Sequence, residues 1–318
     1  MSAEHLLAIW ETKGMRKRAI SICALSLIFI SGCGRSTGEV TTITVKDVST
    51  SRVSLDEKAG KSRVIALANG SAEIIDALGF KSILVGRDIA STDPSLESVP
   101  IVTSGHQVVA EKIIALNPDL VIIDASVGPI QAIEALRAAK IHIVTVDEVW
   151  NVQGITEKVK SVATVIGTPL SGEALVEKIS RLLAPLSSTK KGSATVAFLY
   201  LRGGNSIYLL GGKGSGADSI ISSIGATDVG SQVSSTPFTA LTSESFASVN
   251  PQILLVMSKG LESVGGVDGL LALPGVAQTD AAKNRAVIAV DDSLLLSFGP
   301  RTPSLLTLLN KAVGEVKR

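Results

Sequence analysis

The sequence predicts an α/β fold: two Rossmann-like lobes joined by a single long connecting helix. Three observations predict it. From Arg63 onward, short Val- and Ile-rich runs alternate with helical patterns. The alternation lapses at two consecutive helical stretches, "ITEKVKSVATVIG" and "PLSGEALVEKISRLLAPL", and restarts after about Lys191. The two halves also share one unit: a glutamate, five residues, Asn-Pro, one polar residue and an apolar run. It occurs from Glu111 to Ile123 and again from Glu244 to Val256.

Residues 1–32 read as a secretory signal. "MRKRAISICALSLIFISGC" starts at Met15 with three cations, continues through an apolar run from Ala19 to Ile30 and ends in Ile30-Ser31-Gly32-Cys33. Met1–Gly14 precedes a complete signal, which makes Met15 the expected start. The small residues before Cys33 resemble a bacterial lipobox, implying cleavage before Cys33 and lipidation of its thiol. A short anchor helix left in place is the weaker alternative, because a span needs roughly 20 apolar residues. Of 30 basic and 29 acidic residues, the signal removes four (Lys13, Arg16, Lys17, Arg18) and two (Glu4, Glu11). The remaining 26 and 27 give a formal charge of −1, with no basic surface for nucleic acid. Cys23 leaves with the signal, so no disulfide staples the mature chain.

Residues 33–60 are polar and rich in Ser, Thr and Gly, and read as a lipid-anchored flexible tether. The first lobe follows at 61–168. Its strands are "RVIAL", "SILVG", "LVIID" and "HIVTV", and its helices are "SAEIIDALG", "AEKIIAL" and "PIQAIEALRAA". Near-continuous apolar strands suit a sheet covered on both faces. A connecting helix is expected at 169–191, with Pro169 near its start and Pro185 near its end. A helix of about 16 residues spans roughly 24 Å, enough to cross between lobes. The second lobe, 192–318, carries "ATVAFLYL", "SIYLLG", "QILLVM" and "AVIAVDD" as strands, with "GADSIISSIG" and "TPSLLTLLNKAV" as helices.

These features together resemble the helical-backbone class of ABC-importer substrate-binding proteins, which capture ferric siderophores, cobalamin or haem. The resemblance covers residues from about 60 to 316. "LLGGKGSGADSIISSIGA" and "VDDSLLLSFGPRTPSLL" are most similar to its haem-binding lipoproteins. It implies a monomer that is exported and lipid-anchored to the outer face of the cytoplasmic membrane. Its partners would be haem as transported ligand and an ABC permease with its ATPase. Glu111 and Glu244 match the two glutamates with which the family contacts permease arginines. Taken singly, each also reads as a solvated acid at a helix N-terminus.

The haem ligands follow from the same resemblance. Many Gram-negative relatives place a tyrosine just after a glycine before the glutamate helix; here "SGHQVVAE" has His106 instead. Gram-positive relatives pair a histidine in the first lobe with Tyr-x-Arg in the second, as His106 and Tyr200-Leu201-Arg202 do here. Ferric iron accepts a phenolate, and a neighbouring arginine favours that charged form. Strand alternation puts Tyr200 and Arg202 on one face. Met257 ends the strand "ILLVM" and serves equally as a cleft residue or as ordinary core. "GGKGSGAD" fits no nucleotide motif but lets an anion such as a haem propionate approach the following helix. Arg301 and Thr302 are weaker candidates for that task. His142 and Tyr208 read as structural, Tyr208 with lining the site as the other option.

Two mature histidines, no free cysteine, and neither G-x-S-x-G nor H-E-x-x-H leave no basis for an enzyme. A zinc or manganese site would want several His and carboxylates together. The alternative cargo is a ferric siderophore or cobalamin on the same fold, which leaves His106 without a task. With 3% aromatic residues, small apolar side chains must supply most of the packing around a porphyrin.

Overall fold

The computed structural model describes residues 40–316 except 106, 188–193, 203–206 and 241. The expected signal at 1–32, Cys33 and His106 lie outside the described residues. The fold is mixed α/β, with two main sheets. In chain order its first strands are β1 (Thr41–Ile43), β2 (Val64–Ala66), β3 (Leu84–Arg87), β4 (Thr103–Ser104), β5 (Gln107–Val108), β6 (Leu120–Ile123) and β7 (Ile143–Thr145). The smaller main sheet runs β3-β2-β6-β7, all parallel. Its inner strands are buried on both faces, as their unbroken apolar runs require. Val64, Ala66, Leu120 and Ile122 face the main core. Ile65, Val121 and Ile123 face a second cluster shared with Ile113, Ile133 and Leu136. Those last three come from the helices Ala110–Ala115 and Ile130–Ala138.

The second half supplies β8 (Thr195–Arg202), β9 (Ile207–Gly211), β10 (Thr227–Asp228), β11 (Phe238–Ala240), β12 (Ile253–Met257) and β13 (Val287–Val290). They form a seven-stranded sheet in the order β1-β13-β12-β8-β9-β11, with β10 also on β8. From β1 to β8 the strands are parallel; β9 and β11 extend the sheet antiparallel. The helices Ile155–Ile166 and Pro169–Ser187 follow β7 in the chain and pack against each other.

Residues 40–60 are not a free tether. Their strand β1 pairs in parallel with β13 at the sheet edge. Ser51 N donates to Pro300 O, and Val53 N to Ala77 O. Arg52 reaches Asp76 at 2.5 Å and Asp93 at 3.2 Å, while Glu57 accepts from the amides of Leu170 and Ser171. Polar composition suggested disorder, but these side chains are polar because they satisfy one another and the helix ends. Since β1 belongs to the larger sheet and β2 to the smaller, the chain also crosses between sheets here, so the connecting helix is not the single link.

The matched Glu and Asn-Pro units have matched backbones. Asn117 (φ 45°) and Asn250 (φ 43°) both take the left-handed conformation where their helices end. Asparagine tolerates that region and proline cannot continue a helix, so each unit stops its helix and starts an inner strand, β6 or β12.

In the interior, Glu73 and Arg301 form a two-pronged ion pair. Arg301 Nε donates to one carboxylate oxygen at 3.0 Å and Nη2 to the other. The exposures of the two residues are both 1%. Burial pushes the Glu73 carboxyl up to about 7 against the pull of Arg301. Arg301 is therefore a structural pin and not a free cation for a propionate; Thr302 is likewise buried, its Oγ1 accepting from Gly299 N. Arg301→Met should strand a buried carboxylate and cost about 3–5 kcal/mol, whereas Glu73→Met/Arg301→Met should recover most of that loss. Urea denaturation compares the two; equal losses would show that pairing is not what holds this site.

Candidate functional site

Parallel strands leave their carboxyl ends on one edge, where loops can converge on a ligand. Here a cleft of about 310 Å³ lies at that edge. The smaller sheet contributes Leu67 and Asn69 after β2, Asp88 to Ala90 after β3, and Ser126 and Val127 after β6. The short β4–β5 hairpin adds Thr103, Gly105 and Val108. From the larger sheet come Asp292, Ser293, Leu296 and Ser297, which follow β13. Trp150 completes the lining.

The cleft's walls are held by hydrogen bonds. Asp124, 4% exposed at the end of β6, accepts from Asn69 N at 2.7 Å and from Ser126 Oγ at 2.6 Å. Asn69 Nδ2 donates across to Leu296 O at 2.9 Å, joining the two walls. Behind them Lys158 Nζ donates to Ser297 O at 2.8 Å, and burial pulls its ammonium down to about 8. Phe298 is fully buried with φ 45°, an uncommon conformation for an aromatic residue. Its ring lies 3.0 Å from where a Cβ on Gly216 would be, and Gly216 has φ 86°, so the tight contact and the left-handed backbone both favour glycine there. The motifs "GGKGSGAD" and "SFGPR" are thus packing partners.

Tyr200 and Arg202 stand at the end of β8, on the same carboxyl edge. Leu199 pairs with Val256, which pairs with Ala289, so the row above holds Tyr200, Met257 and Val290. At about 4.8 Å per strand, Tyr200 lies roughly 10 Å across the sheet from Val290, two residues before Asp292 of the cleft's far wall. Arg202 Nη2 donates to the Tyr200 hydroxyl at 3.1 Å, and its guanidinium carbon lies 5.2 Å from the ring centre. Phe238 packs on the same ring at 5.5 Å. Tyr200 is half-buried and Arg202 exposed.

Other candidates fall elsewhere. None of Tyr200, Arg202, Met257 and Arg301 is among the described residues lining the cleft. Met257 is 8% exposed within the main core, so the core reading holds for it. Tyr208 is structural, donating to Pro274 O at 3.0 Å and packing on Phe246. His142 is exposed, its carbonyl accepting from Val121 N beside β7. The amides of Gly214 and Gly216 already donate to Asp218, at 2.8 and 3.0 Å. That internal carboxylate takes the place proposed for an external anion. Glu111 and Glu244 are exposed in the first turns of Ala110–Ala115 and Ser243–Val249, and neither carboxylate bonds to a described residue.

Asp88, Asp292 and Trp150 were missed by the sequence reading. A signal for the acids existed: "VGRD", "LVIID", "IVTVD" and "IAVDD" each place Asp directly after a strand. Such acids sit where loops turn over the carboxyl edge, either as caps or facing the cleft.

Residues 64–294 match a family model described as periplasmic binding protein. Among solved structures, the chain is similar to the periplasmic heme-binding protein RhuT from Roseiflexus sp. RS-1 in apo form. That likeness has 34% identity and a TM-score of 0.76, covering 81% of this chain and 100% of that one. The heme binding protein HmuT is 30% identical with a TM-score of 0.73, covering 86% and 94%. A curated relative, the uncharacterized ABC transporter substrate-binding lipoprotein YvrC of Bacillus subtilis (strain 168), is 24% identical over 90% of this chain and 94% of its own.

If Asp218 serves as the cap of this loop, Asp218→Ala should cost about 1 kcal/mol and Asp218→Asn less. Thermal denaturation of both variants checks it, and an unchanged melting temperature in Asp218→Ala would reject the role.

Proposed function

The chain belongs to the periplasmic binding protein family, and we propose that within it this protein is the substrate-binding lipoprotein of an ABC importer for ferric haem. The observation that carries this reading is the Tyr200–Arg202 pair on the carboxyl edge of the larger sheet. A phenol with an arginine donating to its oxygen is the donor that ferric iron takes as phenolate. The guanidinium steadies the negative charge that ligation requires. Support comes from the relatives: two heme-binding proteins are among its structural neighbours. HmuT structures carry substitutions at a histidine, at a tyrosine and at an arginine two positions after that tyrosine. Tyr200 and Arg202 have that spacing here.

In this reading haem lies between the cleft walls and Tyr200. Tyr200 is one axial ligand and His106 the other; in sequence His106 directly follows Gly105, a cleft residue. Residues 1–32 are the export signal and Cys33 holds the lipid, which keeps the protein at the outer face of the cytoplasmic membrane. Glu111 and Glu244 present their carboxylates to arginines of the permease. A ferric siderophore or cobalamin as cargo leaves the Tyr200–Arg202 pair without a task.

Haemin added to the purified protein should give a shifted Soret band and a phenolate-to-iron charge-transfer feature. Tyr200→Phe should abolish that feature and Tyr208→Phe should keep it, and the loss of affinity should be larger in Tyr200→Ala than in His106→Ala. Identical spectra for wild type, Tyr200→Phe and His106→Ala would reject the axial pair. Docking is tested separately. Glu111→Arg/Glu244→Arg should leave haem binding intact and abolish uptake in vesicles reconstituted with the permease; undiminished uptake would refute it.

A further inference from the structure

The cleft's charge and hydrogen-bonding character are one-sided. One wall carries Asp88 and the facing wall Asp292, and no described lining residue is a lysine or arginine. Asp88 is fixed in place by Ala90 N at 2.9 Å and by the Ser91 hydroxyl. Asp292 accepts from Lys259 N at 3.0 Å. Two buried cations beside the lining donate to backbone carbonyls. Arg87 donates to the carbonyls of Leu96, Val99 and Ser91, and Lys158 to that of Ser297.

Two serine hydroxyls point the same way, whereas Thr103 Oγ1 accepts from Ile89 N and keeps its proton. Ser126 donates to Asp124 at 2.6 Å, and Ser293 to Asp291 at 2.6 Å. Asn69 already donates to Leu296 O. With their protons committed inside the protein, these serine oxygens have only lone pairs to offer a ligand, and Ser293 Oγ already shares a hydrogen bond with Thr92 Oγ1. A carboxylate needs donors and is repelled by Asp88 and Asp292. An apolar edge finds Leu67, Val108, Val127 and Leu296 instead.

Building on the haem reading above, we infer that Asp88 and Asp292 orient the porphyrin and select against carboxylates inside the cleft. The haem enters with its apolar edge inward and both propionates at solvent. The same repulsion excludes ligands that carry carboxylates around their whole rim.

Three iron porphyrins test this by Soret titration of the wild-type protein. Haemin and its dimethyl ester should bind within about threefold of each other, because solvent-facing propionates contribute little. Iron coproporphyrin has carboxylates on all four pyrroles and should bind at least 30-fold more weakly than haemin. In Asp88→Asn/Asp292→Asn that penalty should shrink at least fivefold. An ester more than tenfold weaker than haemin, or coproporphyrin equal to haemin in wild type, would overturn the orientation while leaving haem as cargo. A penalty unchanged in the double variant would remove the two acids from the explanation. Failure of all three to shift the Soret band would overturn both the orientation and the haem reading.

Discussion

The ion pair between Glu73 and Arg301 is the constraint on which the rest of the molecule depends. Glu73 stands in the helix Ser71–Ala77, directly after β2 of the smaller sheet, and Arg301 immediately precedes the helix Thr302–Val316. The pair therefore joins segments 228 positions apart in the chain. An isolated charge at either position would face a desolvation cost that no surrounding dipole offsets fully. Arg301 Nη1 has no partner among the described residues, so the pair is incompletely compensated even as it stands. It holds the "SFGPR" turn at one register. The left-handed Phe298, its close approach to Gly216 and the Lys158 contact to Ser297 O all lie in that same turn.

The α/β alternation was legible because each buried strand is a nearly unbroken apolar run and each Asn-Pro ends a helix for a local steric reason. Those properties belong to a few consecutive residues. What was not legible depends on distant partners. Nothing in "TTI" announces an edge strand, because β1 exists by virtue of pairing with β13, 247 positions later. The polar stretch that follows reads as tether by composition, yet Arg52 finds Asp76 and Asp93, and Glu57 finds two helix amides. Arg301 illustrates the same limit. An arginine at a helix start in a ligand-binding family suggests an anion site, and only the fold reveals the carboxylate already there.

The candidate site divides along similar lines. Tyr-x-Arg was readable because strand geometry alone brings residues i and i+2 to one face, and the hydrogen bond between them needs nothing else. The cleft was not, because its walls come from loops after β2, β3, β6 and β13, which meet only through the packing of two sheets. The glycine-rich loop shows how a local motif misleads when read alone. Its amides do bind a carboxylate, but the acid is Asp218, four residues along from Gly214.

The cleft's walls are wired into the core. Asn69 donates its backbone N–H to Asp124 on the smaller sheet's side and its side-chain amide to Leu296 O on the larger sheet's side. Leu296 and Ser297 are cleft residues, and Ser297 O is also the acceptor for Lys158. The next residues in the chain are Phe298 and, three further on, Arg301. A ligand that presses on this wall therefore acts on a turn whose other end is locked to Glu73. Since a packed, ion-paired turn has few alternative arrangements, displacement of the wall cannot be absorbed locally. It must move the helix Thr302–Val316 relative to Ser71–Ala77 or be resisted by them. The buried ion pair is thus mechanically continuous with the wall of the cleft.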